Sequence, residues 1–410
     1  MRRLTALMVV AGLLVVACSN DDDSSSDATG AEAATEATVP ETADTAVTST
    51  TAPEGPPSQL RIATYNAGLA EGFVPLATER LPLVAEAIAD LDADVVFLQE
   101  VWTPDAVAEL RDAASATFPQ AVFPEPIPDA ELGDPACTVD ELADLEACIA
   151  QNCADASPDG LVDCVLTNCA SQYAGLCAEC QSCIAANVGN TVEEAIANCT
   201  TASSAFAYDG SVGIGLLSKA VILDSDVLVL ESSLNRRAVL HALVDAEGFG
   251  PVHVFGTHLS AVFSDIPYPG DGTWEEEQAA QIEDVLAYID TRADPGDPVV
   301  LLGDFNTGPA GELYQAEVAA NYELLTAAML TNTYVEADDA RCTFCGDNPL
   351  VGDDAAVVID HVFTRDLDAS PEAQRILDRP LVINVDGDDI TTALSDHYGV
   401  MLTLTGQSAD

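Results

Sequence analysis

Apolar residues follow two rhythms along this chain. In residues 60–66, 94–100, 213–218, 227–230, 238–244, 252–258, 298–302, 356–363 and 394–402 they form short, nearly continuous or alternating runs rich in Val, Ile and Leu. Runs of that length and composition, bounded by Gly, Asp or Asn, predict strands. Elsewhere the spacing is helical. Leu83, Val84, Ala87, Ile88 and Leu91 share one face, as do Ile282, Val285, Leu286 and Ile289 in residues 274–289. Thr103-Pro104-Asp105 reads as a helix start with Thr103 as N-cap, and a further helix is expected from Ala310. Strands alternating with helices predict an α/β layered domain with ligands at the strand ends. At one such end Gly303 is expected to break the strand. Asp304 and Asn306 then stand two residues apart, on one side of an extended backbone.

Two stretches do not join this pattern. Residues 1–18 open Met1-Arg2-Arg3, continue with an apolar run too short to span a membrane stably, and end Val15-Val16-Ala17-Cys18. This resembles a bacterial lipoprotein signal, which implies export and a lipid anchor on Cys18 at the cell envelope. Residues 19–57 are Ser, Thr, Ala, Asp, Glu and Pro with almost no large apolar side chain, so they are expected to form a flexible acidic tether. The folded part, 58–410, is interrupted at 124–207 by a segment with nine cysteines: Cys137, Cys148, Cys153, Cys164, Cys169, Cys177, Cys180, Cys183 and Cys199. A short unit recurs there as Cys148-Ile149-Ala150-Gln151-Asn152-Cys153, Cys164-Val165-Leu166-Thr167-Asn168-Cys169 and Cys183-Ile184-Ala185-Ala186-Asn187-Val188. In an exported protein this density predicts a disulfide framework, compatible with a cross-linked helical hairpin, with one thiol left over or paired outside the chain. The spacing Cys177-x2-Cys180-x2-Cys183 also fits metal ligands. The segment contains no histidine to complete such a site, which favours disulfides. A further pair, Cys342-x2-Cys345, suits a small local disulfide.

Charge narrows the partners. The 410 residues carry 69 acidic against 13 basic side chains, a formal −56. Residues 1–57 hold nine of the acids and two of the bases, which leaves 60 against 11 on the remainder, so the acidity belongs to the folded part. Such a surface has no basic footprint for DNA or RNA and steers polyanions away.

The strand ends carry the chemistry. Asn66, Glu100, His258, Asp304 with Asn306, Asp360, and Asp396 with His397 all lie at ends or edges of predicted strands, and two of only five histidines are among them. A hard cation such as Mg²⁺ (or Mn²⁺) wants oxygen ligands of the kind Glu100 and Asn66 offer. A histidine held by a carboxylate, here His397 with Asp360, moves a proton near neutral pH. Asp304 suits orienting or deprotonating a water. Asn306 and His258 can donate to phosphoryl oxygens where charge develops. These residue types in one place fit metal-assisted phosphoester hydrolysis.

The order of Thr64-Tyr65-Asn66, Leu98-Gln99-Glu100, Gly256-Thr257-His258-Leu259, Gly303-Asp304-Phe305-Asn306, Ile359-Asp360-His361-Val362-Phe363 and Ser395-Asp396-His397 resembles the endonuclease/exonuclease/phosphatase superfamily of deoxyribonuclease I-like nucleases, neutral sphingomyelinases and inositol-phosphate phosphatases. The resemblance covers about 59–123 and 208–405. It implies a four-layer sandwich of two packed mixed β-sheets flanked by helices, with the Cys-rich helical segment as an insertion. It also implies Asn66 and Glu100 near Mg²⁺, Asp304 and Asn306 at the nucleophile and phosphate, and His397 oriented by Asp360. Asp396 is then a further metal-side or phosphate-side group and His258 a second histidine. His361 departs from the pattern, which usually has Tyr or Arg there.

Residues 343–350, Thr343-Phe344-Cys345-Gly346-Asp347-Asn348-Pro349-Leu350, resemble a stretch of sphingomyelinase-like members. With the acidity and the anchor this favours a lipid headgroup or small phosphodiester as substrate, and the loop 262–268 is a candidate for touching lipid. An extracellular nuclease is the alternative within the same chemistry. A non-catalytic display or binding protein that uses the insert is the alternative outside it.

Overall fold

The computed structural model of the protein describes residues 58–406 apart from 128–133, 157, 202–205, 264–265, 338, 352–354 and 368. The expected signal, lipidated Cys18 and tether lie outside the described residues. Residues 54–410 form a compact unit by themselves.

The chain enters through β1 (Gln59–Asn66), α1 (Ala77–Ala89), β2 (Val95–Gln99), α2 (Pro104–Ala114) and β3 (Gln120–Val122). After the insert come β4 (Gly215–Ser218), β5 (Val221–Leu230), β6 (Arg237–Ala246), β7 (Gly250–His258), a long helix (Trp274–Arg292) and β8 (Val299–Asp304). A short helix (Ala319–Ala327) then leads to β9 (Phe344–Cys345), β10 (Ala356–Val357), β11 (Asp360–Arg365), β12 (Ala369–Ile376), β13 (Leu381–Val385), β14 (Asp388–Thr392) and β15 (Gly399–Gly406). Thr103 caps α2 as expected, accepting from the Ala106 N–H at 3.2 Å, with Pro104 in the first turn.

Two large sheets result, ordered β12-β15-β1-β2-β4-β3 and β11-β8-β7-β6-β5. Each is mixed. β1 runs parallel to β2 and antiparallel to β15, while β7 runs parallel to β8 and β8 antiparallel to β11. Period-two alternation sorts side chains into three cores. Ile62, Phe97, Val254, Leu302 and Leu402 meet between the sheets. Ala63, Tyr65, Val96 and Leu98 turn the other way, onto Val84, Ile88 and Leu110 of α1 and α2. Val239, Phe255 and Leu301 pack outward on Ile282, Val285 and Ile289 of the long helix. The runs are apolar throughout because both faces are covered. This is the four-layer α/β sandwich that the sequence implied.

Five local expectations change. The run 356–363 splits into β10 and β11, which belong to different sheets, and the strand expected at 394–402 begins only at Gly399. Gly303 does not break its strand: β8 continues to Asp304. A side chain at 303 would collide with the Thr257 carbonyl of β7, and the φ of 149° disfavours any other residue. The helix expected from Ala310 begins at Ala319. Residues 308–317 instead close a loop in which Gly308 and Glu317 exchange both backbone hydrogen bonds at 2.7 and 3.0 Å. Pro309 and Gly311 disfavour helix there. The strand foreseen at 227–230 is longer, starting at Val221.

The insert is helical and stapled. With the helices numbered in chain order, it comprises α3 (Val139–Asn152), α4 (Pro158–Asn168), α5 (Ala170–Tyr173), α6 (Ala178–Ala186) and α7 (Val192–Thr200), which makes the two later helices α8 and α9. Cys148–Cys169 and Cys153–Cys164 nest across α3 and α4, the cross-linked hairpin that the repeat suggested. Cys183–Cys199 joins α6 to α7, and Cys137–Cys180 ties the segment just before α3 to α6. With Cys180 and Cys183 both bridged, the metal-like spacing has a disulfide explanation, and Cys177 is the thiol left over. The repeated Asn also has a role: Asn152, Asn168 and Asn187 donate to the carbonyls of Cys148, Cys164 and Cys183 at 3.0, 3.1 and 2.9 Å. Each side chain bonds back to the carbonyl one turn earlier, near the end of its helix. Cys342–Cys345 is bridged as expected. Among the described residues no helix is long and apolar enough to cross a membrane.

Candidate active site

The parallel strand pairs deliver polar residues to one end of the sandwich. In the second sheet, His258 of β7 and Asp360 of β11 are both in register with Asp304 of β8, so three adjacent strands place these residues side by side. In the first sheet Asn66 ends β1, level with Gln99 of β2, and Glu100 follows. Contact across the sheets is direct: the Asn66 Nδ2 donates to Asp304 Oδ2 at 2.9 Å.

Asp304 is the hub. It is 1% exposed; its Oδ1 accepts from the Asn306 N–H at 2.9 Å, and its Oδ2 lies 3.5 Å from His258 Nε2 and 3.8 Å from His397 Nε2. Burial, with the charge of Asp360, pushes its pKa up to about 6. His397 sets its Nδ1 at 2.9 Å from Asp360 Oδ2, the carboxylate-held imidazole that the sequence suggested. Burial opposes protonation of His397, but the charges of Asp360 and Asp304 outweigh it and hold the pKa well above the usual imidazole value. His258 is driven the other way, by burial and then by Arg237, and stays neutral. The environment therefore separates the two histidines into a proton-carrying and a neutral one.

Glu100 and Asn306 sit at φ of 56° and 50°, in the left-handed region. For Asn this is common; for Glu it is a strain of roughly 1–2 kcal/mol held by the surroundings. The turn at Asn306 cancels simple strand alternation. Its Nδ2 instead donates to the Leu259 carbonyl at 3.0 Å, tying the β8 end to the β7 end. Asn66 is similarly engaged, accepting from the Gly68 N–H at 3.0 Å. Gly68 has φ 56°, and a Cβ there would meet the Asp396 carboxylate and the Ser395 hydroxyl. Asp396, which accepts from Ser395 Oγ at 3.1 Å, therefore lies against the loop that leaves Asn66.

A divalent cation fits the acidic edge of this site. The Glu100 Oε2 is buried without a hydrogen-bond partner, and burial, with the charges of Asp396 and Asp304, raises that carboxyl to about 7. Buried carboxylates acting on one another, with a carboxyl oxygen left unpartnered, are what a hard cation neutralises. Asp304, Asp360 and His397 also bring ligand atoms within 4.8 Å of one another. One of those contacts, however, is the His397–Asp360 hydrogen bond.

Supporting residues to which the sequence assigned no role complete the site. Arg80 of α1 is fully buried and donates to the carbonyls of Pro75, Ala67, Gly68 and Leu394, clamping the loops that carry Asn66 and Asp396. The Thr343 hydroxyl accepts the backbone N–H groups of Ile359 and Asp360 at 3.1 and 3.2 Å. Asn348 donates to the Ser395 and Asp396 carbonyls at 2.8 and 3.1 Å. The 343–350 stretch thus positions Asp360 and the Asp396-His397 turn. From α8, Gln278 donates to the carbonyls of Ser260 and Asn306 at 2.8 and 3.0 Å. His361, the departure from the family pattern, is structural: its Nε2 is 2.9 Å from the Thr307 carbonyl and its Nδ1 2.8 Å from Asn332 Nδ2. Arg237, at the start of β6, is 3% exposed with Nε and Nη1 unpartnered, and Glu100 and Asp304 are among the charges acting on it. Its guanidinium lies 5.8 Å from the Trp102 ring, whose centroid is 6.2 Å from His258. A buried guanidinium with free N–H groups can hold an oxyanion. The Arg236-Arg237 pair before an apolar run was the available sequence signal for it.

Comparison with known proteins follows the same lines. The model of the Endonuclease/Exonuclease/phosphatase family matches residues 63–397. The fold is similar to that of sphingomyelinase C from Streptomyces griseocarneus, at 18% identity and a TM-score of 0.52, covering 84% of this chain and 99% of that one. It is also similar to a mutant beta toxin from Staphylococcus aureus with bound magnesium ions, at 13% identity and a TM-score of 0.50, covering 85% and 100%. No curated protein sequence matches the chain.

Proposed function

The chain belongs to the endonuclease/exonuclease/phosphatase family, and we propose that it is an exported, Mg²⁺-dependent phosphodiesterase acting on lipid headgroups or small phosphodiesters. The observation that carries the reading is the buried Asp304, flanked in register by His258 and Asp360 and faced by the Asp360-held His397. In this reading Glu100, with Asn66 and Asp396 beside it, holds the cation, which when bound supplies Lewis-acid polarisation of a phosphoryl oxygen. Asp304 orients the attacking water and takes its proton. The neutral His258, Asn306 and Arg237 donate to phosphoryl oxygens. His397, kept protonated by Asp360 and Asp304, gives its Nε2 proton to the charge that develops at phosphorus or on the departing oxygen. The acidity of the folded part and the sphingomyelinase C likeness of the fold support a lipid or small substrate over nucleic acid.

The test is hydrolysis by the purified protein, with Mg²⁺ and with chelator, of sphingomyelin vesicles, bis(p-nitrophenyl) phosphate and plasmid DNA, alongside His397→Ala. Hydrolysis of the first two that needs Mg²⁺ and His397 is expected. Equal activity of wild type and variant removes the catalytic assignment, and cleavage of plasmid alone removes the substrate class. Export rests on residues 1–18, so a clickable fatty acid fed to expressing bacteria should label the wild type and not Cys18→Ala.

A further inference from the structure

The insert does more than decorate the sandwich: it borders apolar space against it, open on one side where Phe73 and Leu166 are exposed. A cavity of about 390 Å³ lies between them, within the usual size of ligand pockets. Leu145, Val165 and Ile196 line it from the insert. Across from them stand Phe73, on the loop that leaves β1 past Asn66, and Val262 and Phe263, on the loop that leaves β7 past His258. Among the described side chains that line it only Glu146 is charged, in a protein with 69 acidic residues. Unfilled apolar space forfeits packing contacts. A larger side chain at Ala185 or Ala195, both in its wall, would close it, and neither position carries one.

The cavity also adjoins polar space that reaches towards the chemistry. A second, polar cavity of about 480 Å³ shares residues 187–190 with it and has Trp102 in its wall. That ring lies 6.2 Å from His258 and 5.8 Å from the Arg237 guanidinium. A molecule with its phosphate at Asp304 that extended past Trp102 would meet polar space first and apolar space next. That sequence of environments matches a lipid: phosphodiester, polar linker, alkyl chain. It does not match a nucleic acid, whose charge continues beyond the scissile phosphate.

We propose that the cavity under the disulfide-stapled insert takes the alkyl chain of a lipid phosphodiester whose phosphate is cut at the Asp304 centre; this rests on the phosphodiesterase reading above. Val262, Phe263 and Ile266 of the loop after β7 then meet lipid in the wall of the cavity.

The experiment uses residues 54–410, the compact unit, with p-nitrophenyl alkyl phosphodiesters of increasing chain length, all kept below their aggregation limit. In the wild type kcat/KM should rise about fourfold per added methylene until the cavity is full. Ala195→Trp should flatten the series to the methyl-ester value while the methyl ester itself is cut at the wild-type rate. Ala185→Trp fills the same space from the neighbouring helix and should do the same, so a folding failure of one variant does not decide the matter. In parallel, a neutral fluorescent alkyl amide should bind the wild type saturably at one site and lose that site in both variants. A flat chain-length series in the wild type, or an unchanged slope in both variants, overturns the proposal. Methyl-ester hydrolysis without alkyl binding overturns the cavity assignment alone. Alkyl binding with no ester cut, methyl included, overturns the phosphodiesterase reading and the substrate assignment with it.

Discussion

His397 is the single side chain on which most of the proposed chemistry turns, and its position depends on one contact, 2.9 Å from Asp360. His397→Ala should lower kcat/KM by roughly 10²–10⁴-fold, the usual contribution of a positioned acid or base, in steady-state assays with Mg²⁺ saturating. Glu100 gives a readout that needs no turnover. Its Oε2 is buried and unpartnered among other carboxylates, so Glu100→Gln should raise the melting temperature in chelator by removing that charge. The same change should abolish the upward shift that Mg²⁺ produces in the wild type. A third residue reports on pH away from the site. His241 lies 3.0 Å from His253, and burial, then the charge of His253, lowers its pKa from 6.5 to about 4. The folded state keeps this ring neutral while the unfolded chain protonates it at the ordinary value. The stabilisation is therefore complete above about pH 6.5 and lost as pH falls through about 4. His241→Phe should flatten that part of the melting-temperature profile, and an unchanged profile would remove His241 as its source.

At the level of elements, the site is held by segments that make no contact with a substrate. Thr343 shows this most plainly, because one hydroxyl accepts two backbone N–H groups at the start of β11. Thr343→Val leaves both donors buried and unpaired, so a loss of about 1–3 kcal/mol in urea unfolding is expected. A fall in kcat larger than that in KM should accompany it, since the Asp360 that steadies His397 moves with its backbone. The insert behaves differently. Four disulfides hold helices whose own core is a small cluster around Leu142, Leu145 and Tyr173. Mild reduction should release hydrogen-exchange protection across α3–α7 before it touches β1, β2, β7 or β8, whose side chains fill three larger cores.

Over the whole molecule the dominant quantity is a formal charge of −56, most of it on the folded part. Like charges crowded on one surface repel and oppose compaction. Screening shortens their reach from about 30 Å at 0.01 M salt to about 3 Å at 1 M. The melting temperature should therefore climb steadily with sodium chloride across that range, followed by scanning calorimetry in chelator, and a fall or no change would mean the surface charges are already compensated.

The sequence by itself determined the layers and the reaction class. Strand and helix rhythms, the order of polar strand ends and the cysteine repeat are local patterns, and local patterns survive being read one residue after another. They placed Asn66, Glu100, His258, Asp304, Asp360 and His397 on strand ends. They also foresaw a leftover thiol, which is Cys177. Tertiary structure decided what depends on contacts between distant segments. Gly303 proved a strand residue because the neighbouring strand leaves no room at its Cα. Asn306 turned out of the strand pattern to bond Leu259. His361, opaque in the sequence, became a hydrogen-bonded core residue between Thr307 and Asn332. Arg80 and Arg237 were two of a handful of bases in an acidic chain until burial set them against the loops and carboxylates of the site. The apolar cavity belongs to this second group as well. Its walls come from the insert and from loops far away in the chain, and no periodicity encodes empty space between them.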